Sequence, residues 1–170
     1  MTAAGVRARR LPPGLSFWDP ISLVSTWFGA GLLPGAPGTW GSLAALPVGW
    51  AVIDHAGRGW LAAAALGLFV LGWWATDAFV RHAAVQDPGS IVVDEVAAQL
   101  LVLTAAPLAP VWFAVAFVLF RIADIWKPWP VSWADRRLHG GFGVMADDLL
   151  AAIYAAAALG VAVHFTGAWP

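Results

Sequence analysis

Residues 59–76 read GWLAAAALGLFVLGWWAT, a run with no acidic or basic side chain, close to the length a helix needs to cross a bilayer. Three further uncharged stretches flank it. Residues 40–53 (WGSLAALPVGWAVI) are short and contain Pro47. Residues 96–120 are apolar throughout but hold Pro107 and Pro110. Residues 149–166 (LLAAIYAAAALGVAVHFT) form the last. Proline disrupts a helix interior, so the 96–120 run predicts two shorter helices meeting at a tight turn. The result is about five hydrophobic helices. Several are too short to span alone at about 1.5 Å per residue, unless they extend beyond their apolar cores or insert only partly.

Composition points the same way. Hydrophobic residues make up 61% of the 170-residue chain and charged residues 11%. Nine basic and ten acidic side chains cannot supply the exterior of a soluble domain of this size, so lipid is the expected solvent. Twelve tryptophans fit a membrane interface. The expected fold class is therefore all-α, a multi-helix integral membrane bundle of four to five hydrophobic helices, some short or broken. One domain over residues 1–170 is expected, with 1–15 as a flexible N-terminal tail. The net charge of −1 argues against a nucleic-acid partner. With no cysteine there is no disulfide, thiolate nucleophile or thiolate metal site. Arg7, Arg9 and Arg10 are followed by Pro12, Pro13 and Gly14 instead of an apolar run, so no cleaved signal peptide is expected.

Before the first apolar run, Asp19-Pro20 is a plausible N-cap and N1 pair for a short interfacial helix reaching Trp27 and Phe28. Residues 29–42 are rich in glycine and proline and read as an ordered loop. Basic residues set the orientation. With the N-terminus inside, Arg7, Arg9, Arg10, Arg81, Arg121, Lys127, Arg136 and Arg137 are inside and Arg58 is outside, which favours a cytoplasmic N-terminus. The same topology places Asp77, Asp87, Asp94, Glu95, Asp124, Asp135, Asp147 and Asp148 on that side and leaves Asp54 outside. Charges are expected on one side and at one depth.

Within that set, Asp94-Glu95 and Asp147-Asp148 are two acidic pairs, each expected at the start of an apolar helix. Each pair alone is explained by capping and the helix dipole. Two pairs on one face together with Asp124 suggest convergence on a metal, because acids at membrane depth are costly unless paired or ligating. Oxygen ligands suit Mg²⁺. Arg121, Asp124 and Lys127 recur every three residues, which suits either an ion-pair ladder at the membrane edge or a phosphate clamp beside a metal ligand. Lys127-Pro128-Trp129-Pro130 ends that helix. Asp135, Arg136 and Arg137 continue the charged patch. His139-Gly140-Gly141-Phe142-Gly143 reads as a flexible turn, and its histidine is more often incidental than catalytic. Gly35 to Ser42 could bind phosphate through backbone amides at a helix start, or be a turn capped by Thr39 or Ser42. Asp77 and Arg81 read as an i,i+4 ion pair without chemistry.

Four stretches carry a resemblance: Thr26 to Ser42; Asp87-Pro88-Gly89-Ser90-Ile91-Val92-Val93-Asp94-Glu95; Phe120 to Pro130; and Gly140-Gly141-Phe142-Gly143-Val144-Met145-Ala146-Asp147-Asp148. In these the chain resembles the phosphatidylglycerophosphatase A family of bacterial membrane lipid phosphatases. Ala98 stands where that pattern usually has glycine, and Ser90 where it often has an acid. The resemblance implies an all-helical fold in the inner membrane, a phospholipid substrate, and Mg²⁺-dependent hydrolysis of phosphatidylglycerophosphate at the cytoplasmic face. It implies Asp94, Glu95, Asp124, Asp147 and Asp148 as metal-site acids and Arg121, Lys127 and Arg136 as phosphate contacts.

The resulting expectation makes Asp124, Glu95 and Asp148 catalytic. Asp94, Asp147 and Asp148 hold the metal, and Arg121, Lys127, Arg136 and Thr39 bind the substrate. Asp124 or Glu95 would orient or deprotonate the attacking water, with a phospho-aspartyl route as the alternative. The rival class is a small transporter or channel that uses the acids for ions, which predicts acids spread through the membrane depth or on both faces.

Overall fold

The computed structural model describes residues 11–83 and 88–168. Arg7, Arg9, Arg10 and Asp87 lie outside the described residues. Among these residues the fold is all helical: α1 (Pro20–Ser25), a 3-10 turn (Ala30–Leu32), α2 (Pro37–Ala56), α3 (Arg58–His82), α4 (Val93–Leu103), α5 (Pro110–Trp126), α6 (Val131–Arg137) and α7 (Gly140–Thr166).

Two of these helices, α3 and α7, are long and apolar enough to cross a membrane. At 1.5 Å per residue they reach about 37 and about 40 Å. By the same measure α4 reaches about 16 Å, about half of a hydrocarbon core, and is too short to span one. The proline break falls where expected. The α4 helix stops at Leu103, and α5 opens with Pro110 as a first-turn residue, where its missing N–H costs nothing. Arg58 donates to the Ala106 carbonyl at 3.1 Å and anchors this turn beside the start of α3.

Helix α4 is the centre of the bundle and packs on α2, α3 and α7. Its Val96, Leu100 and Leu103 join Phe113 and Phe120 of α5 and Ala151, Ala155 and Leu159 of α7 in one buried cluster. Small residues let the helices approach. A Cβ on Gly41 would lie 2.9 Å from Val92 Cβ, and one on Gly49 would lie 2.5 Å from Leu103 Cδ1. The α2 helix runs unbroken through Pro47 and is longer than the 40–53 run suggests. The outward faces carry large apolar side chains, among them Leu66, Val70 and Trp74 on α3, Val118 and Ile125 on α5, and Ile153 and Phe165 on α7. A surface of this kind is stable against lipid.

Local expectations shift in three places. The α1 helix ends at Ser25, before Trp27 and Phe28, which take positive φ of 46° and 53°. The Ser25 carbonyl instead accepts the Val92 N–H at 2.9 Å and ties this segment to the start of α4. Neither Thr39 nor Ser42 caps α2, because the helix already begins at Pro37, and the Ser42 hydroxyl donates to the Gly38 carbonyl. The 140–143 glycines are not a flexible turn but the first turn of α7. A Cβ on Gly141 would lie 2.5 Å from the Asp77 amide nitrogen and 2.6 Å from the Trp73 carbonyl oxygen, so glycine here permits contact between the α3 and α7 backbones.

The last point changes the reading of Asp147-Asp148. They do not cap a helix start; they sit in the second and third turns of α7. Helical rise places them about 10 Å deeper than Gly140, whose neighbour Gly141 donates to Asp77. The charged groups therefore gather at one end of the bundle but not at one depth. Gly140, Asp147 and Asp148 all line one recess, the two acids deeper along α7 than the glycine.

Candidate active site

Four helix ends supply this recess. The start of α2 contributes Gly38, the start of α4 contributes Asp94 and Glu95, the end of α5 contributes Arg121, Asp124 and Lys127, and α7 contributes Asp147 and Asp148. The cavity encloses about 440 Å³ and opens beside Asp135 and His139. Residues 30 and 23 positions apart along the chain thus meet: Asp94, Asp124 and Asp147 face one space.

Two subsites differ in charge. In the first, Asp94, Glu95 and Asp148 each offer a carboxylate oxygen, all within 4.8 Å of one another. Glu95 Oε2 and Asp148 Oδ2 are buried and make no hydrogen bond. Burial, then the charges of Asp94, Asp148 and Asp124, push the Glu95 carboxyl well above its ordinary range. The unpaired oxygens of Glu95 and Asp148, set beside the Asp94 carboxylate, are stable together only if protonated or joined by a cation. Hard oxygen donors at this separation fit a divalent metal.

In the second subsite, the Arg121 guanidinium lies 2.7 Å from Asp124 Oδ2 and 3.9 Å from Glu95 Oε1. One turn on, Lys127 ends α5 with φ 46°, leaves the helical path, and pairs with Asp135 and with Asp147 at 2.7 Å. Burial works against the Lys127 charge, but hydrogen bonds to Asp135 and Asp147 outweigh it and hold the ammonium above its ordinary value. Arginine and lysine here are positioned to bind the oxygens of an anion.

The expected site residues divide accordingly. Asp94, Glu95, Arg121, Asp124, Lys127, Asp147 and Asp148 line the cavity. Glu95, not Asp147, stands with Asp94 and Asp148, while Asp147 serves Lys127. Neither Thr39 nor Arg136 reaches the cavity wall. Arg136 is exposed on α6, and the residue beside Thr39 does the work. A Cβ on Gly38 would lie 1.9 Å from Glu95 Oε1 and 3.0 Å from Arg121 Nη1, so a larger residue here would displace the ends of these side chains. The sequence shows Gly38 as one of several loop glycines, and no spacing singles it out. The sequence places Asp135 in a charged patch with Arg136 and Arg137, and Asp77 in an ion pair with Arg81. Asp135 holds Lys127, and Asp77 pairs with Arg81 while accepting the Gly141 N–H at 3.2 Å.

The phosphatidylglycerophosphatase A family model matches residues 23–163, a range that contains every group named in the two subsites. A Haemophilus influenzae protein named phosphatidylglycerophosphatase A is 44% identical over 143 residues, covering 83% of this chain and 87% of that protein. An Escherichia coli protein of the same name is 38% identical over 157 residues, covering 92% and 89%. No solved structure matches the chain. The chain belongs to the phosphatidylglycerophosphatase A family.

Proposed function

We propose that the recess hydrolyses the phosphate monoester of phosphatidylglycerophosphate, leaving phosphatidylglycerol and inorganic phosphate, with Mg²⁺ held by Asp94, Glu95 and Asp148. The observation that carries this reading is the meeting of a three-carboxylate group with Arg121 and Lys127 in one cavity of an apolar bundle. Its relatives bear the name of that activity.

Phosphate monoesters hydrolyse very slowly unaided, so the protein must stabilise charge that builds on the phosphoryl oxygens. Arg121 and Lys127 bind those oxygens and orient the phosphorus toward the floor of the recess. Asp124, steadied by Arg121, accepts a proton from the attacking water. The water oxygen bonds to phosphorus as the bond from phosphorus to the glycerol oxygen breaks, and that oxygen takes up a proton. When bound, Mg²⁺ adds positive charge beside the phosphoryl group. Glu95 belongs to the metal group on this reading, which leaves Asp124 as the base.

The site faces the cytoplasm of a bacterial inner membrane on this reading. Arg81, Arg121, Lys127, Arg136 and Arg137 lie at its end of the bundle, against Arg58 at the other, which is the asymmetry of a positive cytoplasmic face.

The test is phosphate release from phosphatidylglycerophosphate by purified protein, with and without EDTA, for wild type and Asp124→Asn. EDTA is expected to abolish release and added Mg²⁺ to restore it. Asp124→Asn is expected to lower kcat roughly 100-fold or more. Full activity in EDTA would overturn the metal assignment, and full activity in the variant would overturn the role of Asp124.

A further inference from the structure

We propose that the acyl part of the phospholipid substrate lies in an apolar groove on the outer face of α5, with Arg121 joining that groove to the catalytic recess. The inference rests on the lipid phosphatase reading and adds where the lipid body goes. The groove is formed by Phe117, Val118, Ile122, Ile125 and Trp126, with Arg121 at its edge. Arg121 also lines the recess, where its guanidinium meets Asp124. One side chain thus has its charged head among the catalytic groups and its apolar stem against the groove.

Three features favour an acyl chain as the occupant. The groove is continuous with the phosphate subsite through Arg121, so a molecule can occupy both. It is an open apolar surface of α5, with Ile125 72% and Trp126 81% exposed. Its direction is also right. From Arg121 to Phe117 it follows α5 for about 6 Å away from the charged end and into the apolar depth of the bundle. A lipid with its phosphate beside Arg121 and Lys127 must extend its chains that way.

Another apolar cleft also touches the site. It lies between α3, α4 and α7, bounded by Leu66, Phe69 and Leu101, and reaches Asp94. Its volume of about 10 Å³ has room for about one water and no hydrocarbon chain. Size decides for α5.

The experiment compares long-chain phosphatidylglycerophosphate in mixed micelles with the water-soluble, chain-free glycerophosphoglycerophosphate. Val118→Trp and Ile122→Trp fill the groove, and Val111→Trp, exposed on the same helix outside it, is the control. Wild type is expected to show the lower KM for the long-chain substrate. The two groove variants are expected to raise that KM roughly five- to tenfold, leaving the chain-free reaction and the control unchanged. Equal effects on both substrates, or none on either, would overturn the proposal. A second measurement needs no turnover and no variant. Wild-type protein is photolabelled with phosphatidylglycerophosphate carrying a diazirine in its acyl chain. Label on the 117–126 peptide supports the groove, and label confined to α3 or α7 overturns it. If the wild type released no phosphate from either substrate, the phosphatase reading would fail, while the label would still decide the groove.

Discussion

The Lys127 ammonium lies 2.7 Å from the Asp147 carboxylate, joining the end of α5 to the second turn of α7, and the same ammonium holds Asp135 of α6. This is possible because Lys127 takes the left-handed conformation that terminates α5. Continued helix would carry its side chain along the Arg121 and Asp124 face. The unusual backbone turns it into the recess, where one cation steadies two carboxylates and remains available to a phosphate. Three helices are therefore held at their charged ends by a single group that also belongs to the phosphate subsite.

Lys127→Met is expected to destabilise the protein by about 1–3 kcal/mol, because Asp147 loses its cation while nearly buried. Asp147→Asn in the same chain should recover part of that loss. Thermal unfolding in detergent of both single variants and the double variant measures the coupling. Strictly additive effects would show that the pair does not interact.

Removing a carboxylate from the metal group should change metal dependence before it changes fold. Asp148→Asn is expected to raise the Mg²⁺ concentration for half-maximal activity by roughly tenfold or more. Mg²⁺ should raise the unfolding temperature of wild type, since a ligand of the native state stabilises it, and should do so less in the variant. An unchanged Mg²⁺ response would remove Asp148 from the group.

Gly38→Ala adds one methyl where Glu95 Oε1 would be 1.9 Å away. Glu95 and Arg121 must both shift, and misplacement on this scale is expected to lower kcat roughly 100-fold. Gly67→Ala on α3, with nothing within 4 Å of the new methyl, should leave kcat unchanged. Steady-state phosphate release from the two variants decides it.

Arg136→Ala is expected to keep kcat and KM within about twofold, since exposed charges away from a site contribute little. Arg121→Lys should lose at least roughly tenfold in kcat/KM, because an ammonium cannot reproduce the forked contact with Asp124 and a phosphate. The same assay ranks the two, and a larger effect at Arg136 would place the phosphate nearer α6.

Gly141→Ala should destabilise by about 1–3 kcal/mol, since its methyl meets backbone atoms of Trp73 and Asp77 that cannot turn aside. Asp77→Asn, which loses an exposed ion pair but keeps an oxygen for the Gly141 N–H, should cost less than about 1 kcal/mol. Denaturation midpoints in detergent check the order, and the reverse order would mean that α3 and α7 are held by charge more than by backbone contact.

The uncharged runs at 59–76 and 149–166 by themselves determined two long lipid-facing helices, and Pro107 with Pro110 determined the break between α4 and α5. These features depend on composition and on backbone chemistry along a few turns, which a sequence displays directly. The same is true of the gathering of acids and cations at one end, because alternating helices return their ends to the same side. Tertiary structure alone decided how those groups divide. Asp147 and Asp148 are neighbours in the chain, yet successive helical residues point about 100° apart, so one meets Lys127 and the other meets Asp94 and Glu95. Which way each points is fixed by the rotation of α7, which packs on α3, α4, α5 and α6, with Gly141 lying close against the α3 backbone. The importance of Gly38, and the absence of Thr39 and Arg136 from the cavity wall, arise in the same way. They follow from how closely and at what angle helices meet, which no local pattern of residues encodes.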